Sequence, residues 1–357
     1  MQKLKAAIVG ATGMAGQQFV QALSHHPWFE VTVMVSSRSA PDYRRALLEP
    51  DGASRWTQSA EVPDDMEAVP VVQSDAFDPK SVDVIFTAVE SDVARELEPR
   101  FAATTPTFST ASAFRQEPDT PLMIPGVNHH HAELIRVQQR RRGWQGFVVP
   151  IPNCTVTGLA ITLKPLADAF GLSRVLMVSM QAVSGAGRSP GVRTLDSLDN
   201  ILPYIPKEEE KVRAELGKIL GRVEGETVRP ASIPINAICT RAAVLDGHTE
   251  AVFAGLERPA TVEAVKAALR EYRPFAGPAL PSAPAEWIHV FEDPFRPQVR
   301  RDRDLGDGMT TSVGRVEPEP VLGGVKYVLV SHNTKMGAGK GAVLLAEALL
   351  SQGVFGS

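Results

Sequence analysis

Three glycines spaced three residues apart follow an apolar N-terminal run in the stretch AAIVGATGMAGQQFVQAL. The apolar run predicts a buried strand, and the residues from Met14 to about His26 predict a helix that begins at the glycines. Glycine lets a backbone turn sharply and approach a phosphate closely, and the free N–H groups of a helix N-terminus carry partial positive charge. Gly10, Gly13 and Gly16 therefore indicate a variant of the dinucleotide-binding loop. A ligand-free turn is the alternative, which the position of the motif in the first strand–helix unit disfavours.

The end of the second predicted strand bears on which dinucleotide this loop binds. An NAD-selective site has a carboxylate there for the ribose hydroxyls, whereas this chain reads VSSRSA. A carboxylate repels a 2′-phosphate, but a guanidinium and hydroxyl groups bind one. We therefore predict NADP(H) as the cofactor. Its contacts at the two strand ends are predicted to be Gly10, Thr12, Gly13, Met14, Gly16, Ser36, Ser37, Arg38 and Ser39.

Alternating strand and helix patterns continue through the first part of the chain, with EVTVMVSS and VDVIFTAV as further strands. Such alternation is typical of a parallel sheet in an α/β domain. After GFVVPIPNC the pattern changes: CTVTGLAITLKPLADAF predicts a helix that ends at Gly171, and RVLMVSMQAVSG predicts a long strand. Two further apolar runs are separated by a turn signal at Asp246-Gly247. This second half is predicted to be α+β, with a large mixed or antiparallel sheet, and the apolar C-terminal helix is predicted to pack back on the first half.

Composition excludes several classes of protein. The chain has 357 residues, 43% of them hydrophobic, which is sufficient for two domains with sizeable cores. Its formal net charge is −4, which predicts no nucleic-acid partner and no attraction to an anionic membrane. The first residues lack a signal-type apolar core, and no run approaches the roughly 18 apolar residues of a membrane span, which predicts a cytoplasmic protein. The successive histidines at 129–131 point in diverging directions from a helix start, so we predict no metal site.

The two cysteines do not form a disulfide framework and are each analysed as a thiol. Cys239 lies in an apolar run, which is typical of a buried thiol. Cys154 stands at the start of a predicted helix, where the N-terminus favours the thiolate and hence a nucleophile, the alternative being a small buried hydrophobe. Downstream, TRAAVLDGHTE offers Arg241 as an anion clamp and His248 as an acid/base, the alternative being a solvated histidine in a turn.

Seven segments, in this order, carry a resemblance to a known family: GATGMAG, SSRSA, PNC, QAVSGAG, SLDNILPYIPKEEEK, TRAAVLDGHTE and SHNTKMGAGKGAVLLAEAL. They resemble the archaeal and fungal branch of aspartate-semialdehyde dehydrogenase over nearly the whole chain. The resemblance implies a Rossmann-type dinucleotide-binding domain at residues 1–150, completed by a C-terminal helix at 335–357. It also implies a catalytic and dimerisation domain at 151–334, and assembly as a homodimer or homotetramer.

The implied reaction is the NADPH-dependent reduction of aspartyl phosphate to aspartate semialdehyde through a cysteine thioester, with release of phosphate. It belongs to lysine, threonine and methionine biosynthesis. By resemblance, Cys154 is the nucleophile, His248 the acid/base and Gln181 a residue that orients the substrate beside the thiol. The substrate-binding residues implied are Arg241 for the carboxylate, Glu208 for the ammonium group, and Lys211 and Arg115 for the phosphate. Further cofactor contacts are expected at Ser184, Gly185 and Asn333.

The sequence departs from the family pattern at two positions, since Thr110 and Thr240 replace asparagines that are common there. Without the resemblance, the acidic run PKEEEKVRAEL would be interpreted as a solvated helix face. Two alternatives to the family's reaction follow. One is a reductase of an acyl-CoA such as malonyl-CoA on the same scaffold, and the other is a catalytically silent NADP-binding protein.

Overall fold

A computed structural model describes residues 2–187, 194–275 and 279–356 of the chain. The strands are β1 Leu4–Val9, β2 Phe29–Ser36, β3 Val71–Gln73, β4 Val84–Thr87, β5 Thr107–Ser109, β6 Val148–Pro150, β7 Leu172–Gln181, β8 Ile201–Leu202, β9 Arg222–Glu224, β10 Thr227–Arg229, β11 Ile235–Ala242, β12 His248–Leu256, β13 Ile288–Val290, β14 Thr311–Glu319 and β15 Gly324–Ser331. The helices are α1 Met14–Leu23, α2 Tyr43–Ala46, α3 Asp64–Glu67, α4 Ser91–Ala102, α5 Glu133–Arg142, α6 Cys154–Phe170, α7 Thr194–Ser197, α8 Glu208–Ile219, α9 Val262–Arg270, α10 Val299–Asp302 and α11 Gly339–Ser351.

The N-terminal half is built on a six-stranded sheet in the order β3-β2-β1-β4-β5-β6, with every neighbouring pair parallel. The last four residues of β1 are buried, because helices cover both faces of a parallel sheet. Since the strand order reverses between β1 and β4, the loops that follow these two strands diverge and leave a crevice at the carboxyl ends of the strands. The glycine loop after β1 lies at this crevice, which confirms the predicted Rossmann-type fold.

The second half contains a seven-stranded mixed sheet in the order β13-β14-β15-β12-β7-β11-β8. β7 pairs in parallel with β11 on one side and antiparallel with β12 on the other. The turn at Asp246-Gly247 therefore does not close a hairpin, because β7 lies between the two strands that the turn connects. This arrangement brings the C-terminal ends of β7 and β11 and the N-terminal end of β12 together along one end of the strands.

Helix α6 covers the inner face of this mixed sheet and has the bounds that the sequence predicts. Its apolar residues pack with those of β7, β12 and β15 in one buried cluster. Asn153 caps its N-terminus: the side-chain oxygen accepts the backbone N–H groups of Thr155 at 2.9 Å and Val156 at 3.4 Å. The cap places Cys154 in the first turn of the helix, next to the ends of β7, β11 and β12.

The C-terminal helix α11 packs against α1 in the core of the N-terminal half. Helix α1 ends at Leu23, slightly before the predicted end. The division of the chain at residue 150 stays a prediction. Across the described ranges, no helix combines the length and apolar character needed to cross a membrane.

Candidate active site

The loop after β1 is shaped so that only glycine fits at two of its positions. Gly10 has a φ of +84°, and a Cβ there would lie 2.3 Å from the carbonyl oxygen of Ala88, in the loop after β4. A Cβ on Gly16 would lie 2.0 Å from the oxygen of Gly10. The close approach keeps the first turn of α1 open, and its N–H groups have no partner within the helix. This geometry fits a dinucleotide phosphate.

The end of β2 lies beside this loop, and the hydroxyl oxygens of Thr12 and Ser36 are 3.3 Å apart. Residues 37–39 are exposed and include no carboxylate. The Arg38 guanidinium forms a long ion pair with the Glu49 carboxylate at 3.9 Å, and its side chain is 63% exposed, so an anion in solvent can reach it. These residues fit a ribose that carries a 2′-phosphate.

A cleft of about 450 Å³ connects the glycine loop with the start of α6. It brings together many of the residues singled out by sequence, which come from both halves of the chain. Those that line it are Met14, Thr110, Arg115, Cys154, Ser184, Gly185, Lys211 and Asn333. Gln181, Glu208, Arg241 and His248 do not line the cleft but are buried behind Cys154.

Cys154 and His248 face each other at the end of this cleft. The sulfur lies 3.1 Å from Nε2 of His248, whose Nδ1 accepts the backbone N–H of Ala182 at 3.1 Å. His248 is the first residue of β12 and is only 1% exposed, so the solvated-turn alternative is wrong. Burial and the positive charge of Arg241 lower the pKa of His248 to about 3. The imidazole is therefore neutral at physiological pH.

The charge state of Cys154 differs from the expectation drawn from its helix position. Burial raises the pKa of the Cys154 thiol to about 12, and the negative charge of Glu208 adds to the rise. Arg115, Arg241 and the backbone N–H of Thr155 act in the opposite direction but are outweighed. The helix N-terminus alone therefore does not produce a thiolate here, because loss of hydration disfavours the charged sulfur more strongly than the terminus favours it.

The buried polar side chains behind Cys154 form one row across the sheet. Arg241 on β11 pairs with Gln181 on β7, and His248 on β12 pairs with Ser331 on the adjacent strand β15. Thr249 pairs with Met180, so Gln181 and His248 are neighbours in the same row. The row places an amide, a guanidinium and an imidazole side by side beneath the sulfur.

Each member of the row is held by a specific contact. The Arg241 guanidinium donates to the carbonyl oxygen of Ala182 at 2.7 Å, while its Nε is buried without a partner among the described residues. Gln181 donates its amide to the Ser179 hydroxyl at 3.2 Å. A Cβ on Gly185 would lie 3.0 Å from the guanidinium and 3.2 Å from the imidazole, so glycine at this position leaves the space that the two side chains occupy.

Asn333 connects the loop after β7 with the turn before His248. Its side chain donates to the Ser184 hydroxyl at 2.9 Å, and its oxygen accepts the backbone N–H of Gly247 at 2.8 Å. Nearby, a Cβ on Gly337 would lie 2.9 Å from Cβ of Cys154. The segment before α11 therefore approaches Cys154 itself, a contact that no pattern in the sequence predicts.

Helix α8 carries the acidic run, which taken alone was interpreted as a solvated helix face. The inner side of the helix is buried instead. Glu208 accepts the Asn153 side-chain N–H at 2.8 Å, and Lys211 lies 3.4 Å from the same carboxylate. Glu215 and Lys218 lie further along the same side of the helix and were not predicted. Glu215 follows Lys211 by four residues and Lys218 follows Glu215 by three, and this helical spacing is the signal that could have identified them.

The two threonines that depart from the family pattern have defined contacts. Thr110 lines the cleft; its hydroxyl donates to the carbonyl oxygen of Thr87 at 3.2 Å, and its own carbonyl accepts from Arg115 at 2.8 Å. The Thr240 hydroxyl donates to the carbonyl oxygen of Ser179 at 2.7 Å. Both hydroxyls therefore bond to backbone oxygens of neighbouring strands.

The side chains discounted by the sequence analysis lie elsewhere. Cys239 is fully buried. His131 is buried between Asn128 and the carbonyl oxygen of Gly221, without an acidic partner in the described ranges. Among the described residues, His25, Asp64 and Asp65 are close enough to share an ion, but all three are exposed and lie outside the cleft.

Comparison with known proteins places this site in a family. Residues 5–135 match the family model "Semialdehyde dehydrogenase, NAD binding domain", and residues 163–336 match "Semialdehyde dehydrogenase, dimerisation domain". The chain is 45% identical to an aspartate-semialdehyde dehydrogenase of Archaeoglobus fulgidus over 97% of both chains. It is 43% identical to that of Methanothermobacter thermautotrophicus over 96% of this chain and 97% of the relative.

A solved structure shows the same architecture. The crystal structure of Candida albicans aspartate semialdehyde dehydrogenase with NADP superposes with a TM-score of 0.85 and 36% identity, over 99% of this chain and all of the other. The order of the motifs, the two matched domains and the full-length similarity all indicate the same family. The chain therefore belongs to the aspartate-semialdehyde dehydrogenase family and has the phosphorylating oxidoreductase activity of that family.

Proposed function

We propose that the chain uses NADP(H) and a thioester on Cys154 to interconvert aspartyl phosphate and aspartate semialdehyde, in the biosynthesis of lysine, threonine and methionine. The observation that carries this proposal is the 3.1 Å pairing of Cys154 and His248 at the end of a cleft that reaches the glycine loop. Acyl phosphate reduction requires a nucleophile, a proton donor and a dinucleotide site within one cleft.

In the reductive direction, the Cys154 sulfur attacks the acyl carbon of aspartyl phosphate. The carbon–oxygen bond to phosphate breaks, inorganic phosphate leaves with the proton of the thiol, and a thioester remains on Cys154. The bound nicotinamide supplies the hydride that reduces the thioester carbon. The Nε2–H of His248 faces the oxygen that becomes negatively charged. As the carbon–sulfur bond breaks and the aldehyde leaves, His248 donates this proton to the sulfur, which becomes a thiol again, and regains a proton from solvent.

The substrate's charged groups are matched by residues on three elements. Arg241 binds the carboxylate, since a planar guanidinium can make two parallel hydrogen bonds, and its unpartnered buried Nε supports this role. Glu208 binds the ammonium group. Lys211 and Arg115 bind the phosphate, and both line the cleft beside Cys154. Gln181, next to His248 in the buried row, orients the acyl group.

For the cofactor, the absence of a carboxylate at residues 36–39 supports NADP(H) over NAD(H). Arg38 and the Ser36, Ser37 and Ser39 hydroxyls hold the 2′-phosphate, while the glycine loop with Thr12 and Met14 holds the pyrophosphate. Ser184, Gly185 and Asn333 line the nicotinamide end of the cleft. The presence of NADP in the related Candida albicans structure supports the same choice here.

The outer face of the mixed sheet supports assembly as a homodimer or a homotetramer built from it. Leu176, Ile238 and Val321 expose 43%, 56% and 84% of their surface on or beside this face, an apolar surface that a second copy would cover. The face lies within residues 163–336, which match the dimerisation-domain model.

The proposal is tested by NADP⁺ reduction with aspartate semialdehyde, with and without phosphate, alongside NADPH oxidation with malonyl-CoA. We expect phosphate-dependent reduction of NADP⁺, and none by a Cys154→Ala variant. Activity with malonyl-CoA alone would contradict the proposed substrate and assign the cleft around Thr110 to another acyl group. If neither substrate reacts while NADPH still binds, the proposed substrate and the proposed role of Cys154 are both rejected.

A further inference from the structure

Helix α8 turns a stripe of alternating charge toward the active site. Glu208, Lys211, Glu215 and Lys218 recur at intervals of three and four residues and so share one side of the helix. Three of the four are buried, with Glu215 only 1% exposed. Burying a charge costs free energy unless the charge is paired or hydrogen-bonded, so the partners of these side chains indicate why they are buried.

Glu215 makes two contacts, to two distant parts of the chain. One carboxylate oxygen accepts from the Arg115 guanidinium at 3.1 Å, and the other accepts the backbone N–H of Asn153 at 2.6 Å. Arg115 comes from the N-terminal half, and Asn153 caps the helix that begins with Cys154. The Glu215 carboxylate thus connects Arg115, which is predicted to bind phosphate, with Asn153, which directly precedes Cys154.

Lys218 holds the backbone of the same segment. Its ammonium group donates to the carbonyl oxygens of Arg115 and Glu117, each at 2.8 Å. The second guanidinium nitrogen of Arg115 donates to the Thr110 carbonyl at 2.8 Å. The Nε of Arg115 has no partner among the described residues, although the side chain lines the cleft. Arg115 is therefore fixed from several sides and keeps donor capacity for an anion.

We infer that Glu215 is a positioning residue for phosphate: it holds the Arg115 guanidinium at a set place relative to Cys154, so that phosphate meets the acyl carbon on that sulfur. This inference rests on the phosphate-binding role proposed above for Arg115. An ionised carboxylate can accept both bonds at once, whereas an amide retains one acceptor and turns its NH₂ group toward a second donor. Glu215→Gln therefore disrupts one contact while keeping the volume of the side chain.

The test is a double-mutant cycle with Glu215→Gln, Arg115→Gln and the double variant, measured on full-length protein in the oxidative direction. We expect Glu215→Gln to raise the KM for phosphate by about tenfold or more, with the KM for aspartate semialdehyde changed by less than about twofold. In the Arg115→Gln background, the second substitution should leave the KM for phosphate unchanged, because Glu215 acts through Arg115. Glu210→Gln, an exposed carboxylate of the same helix, is the matched control and should behave as the parent chain.

Independent effects of the two substitutions on the KM for phosphate would overturn the inference, as would a KM for phosphate that Glu215→Gln leaves unchanged. If Arg115→Gln itself leaves that KM unchanged, the proposed phosphate role of Arg115 fails instead, so the two failures are distinguishable. Thermal unfolding and NADPH binding check that each variant is folded. Should Glu215→Gln fail this check, Glu215→Asp, which keeps the charge but shortens the reach, takes its place in the cycle with the same expected coupling.

Discussion

The sulfur of Cys154 lies 3.1 Å from Nε2 of His248, a residue 94 positions away in the chain. The other ring nitrogen of His248 accepts the backbone N–H of Ala182, which assigns the proton of the neutral ring to Nε2. In this tautomer His248 can donate a proton toward the sulfur or a substrate oxygen, but it cannot accept one at Nε2. The geometry is therefore that of a proton donor, which is the role proposed for His248 in release of the aldehyde.

Replacing Cys154 removes the proposed nucleophile while leaving the glycine loop intact. We expect Cys154→Ala to lower phosphate-dependent turnover by at least about 10³-fold, since no other group in the cleft can form the thioester. NADPH binding, measured by fluorescence titration, should be retained. The control is Cys239→Ala, a fully buried thiol outside the cleft, which should keep most of the turnover. Near-normal turnover in Cys154→Ala would contradict a covalent mechanism.

The raised pKa of Cys154, about 12, predicts how its alkylation depends on pH. Below that pKa the thiolate fraction rises about tenfold for each pH unit, so iodoacetamide inactivation of the free enzyme should accelerate throughout pH 7–10. Rates are measured at each pH with the residual activity as readout. A rate that levels off below pH 10, as for an unperturbed thiol with a pKa of about 8.5, or that does not change with pH, as for a thiolate, would show that burial does not control this sulfur.

Removing the charge of Glu208 should make Cys154 more reactive. The Glu208 carboxylate raises the pKa of the thiol, so Glu208→Gln should lower that pKa and increase the rate of alkylation at pH 8. The substitution should at the same time weaken aspartate semialdehyde binding, because the ammonium group loses its partner. Glu210→Gln, on the exposed side of the helix, should change neither property. Slower alkylation in Glu208→Gln would reverse the sign and reject this electrostatic account.

Charge reversal at the end of β2 should change cofactor preference. With Arg38→Asp, a carboxylate faces the position expected for the 2′-phosphate and repels it. We expect the KM for NADP⁺ to rise by at least about tenfold while that for NAD⁺ changes by much less. Initial rates with both cofactors test this. An equal effect on both would mean that Arg38 does not contact the 2′-phosphate.

A methyl group at residue 337 should disturb the nucleophile directly. The added Cβ of Gly337→Ala would lie 2.9 Å from Cβ of Cys154 and 2.7 Å from the carbonyl oxygen of Asn333. We expect turnover to fall by about tenfold or more, with a lower unfolding temperature, because a close-packed contact must shift. Gly217→Ala is the control, since its Cβ meets only Pro230 at 3.9 Å. Unchanged turnover in Gly337→Ala would show that the segment tolerates displacement.

A charge on the outer face of the mixed sheet should prevent assembly. Ile238 is 56% exposed, so Ile238→Asp leaves the core intact but places a carboxylate within the proposed interface. We expect sedimentation velocity to show monomers for this variant and dimers or tetramers for the parent chain. Leu48→Asp, at an exposed leucine of the N-terminal half, should leave the assembly unchanged. An assembly that survives Ile238→Asp would move the interface elsewhere.

Features that depend on neighbouring residues in the chain were determined by the sequence itself. The glycine loop follows a strand and begins a helix, and helix α6 runs from its asparagine cap to Phe170 as its pattern predicts. The parallel order of the first sheet follows from regular alternation of strands and helices. The family resemblance added the pairing of distant motifs, which no local pattern contains.

Only the tertiary structure decided which distant residues meet and in what medium. β7 lies between β11 and β12, so Gln181, Arg241 and His248 come to one row although a turn connects the last two strands. The sequence of α8 predicts a solvated face, but its inner side is buried against the segment that contains Arg115. Only this packing shows that Glu215 contacts Arg115. Burial also reversed the expected charge state of Cys154. Hydration and the field of neighbouring charges depend on the whole fold, and both are absent from a local pattern.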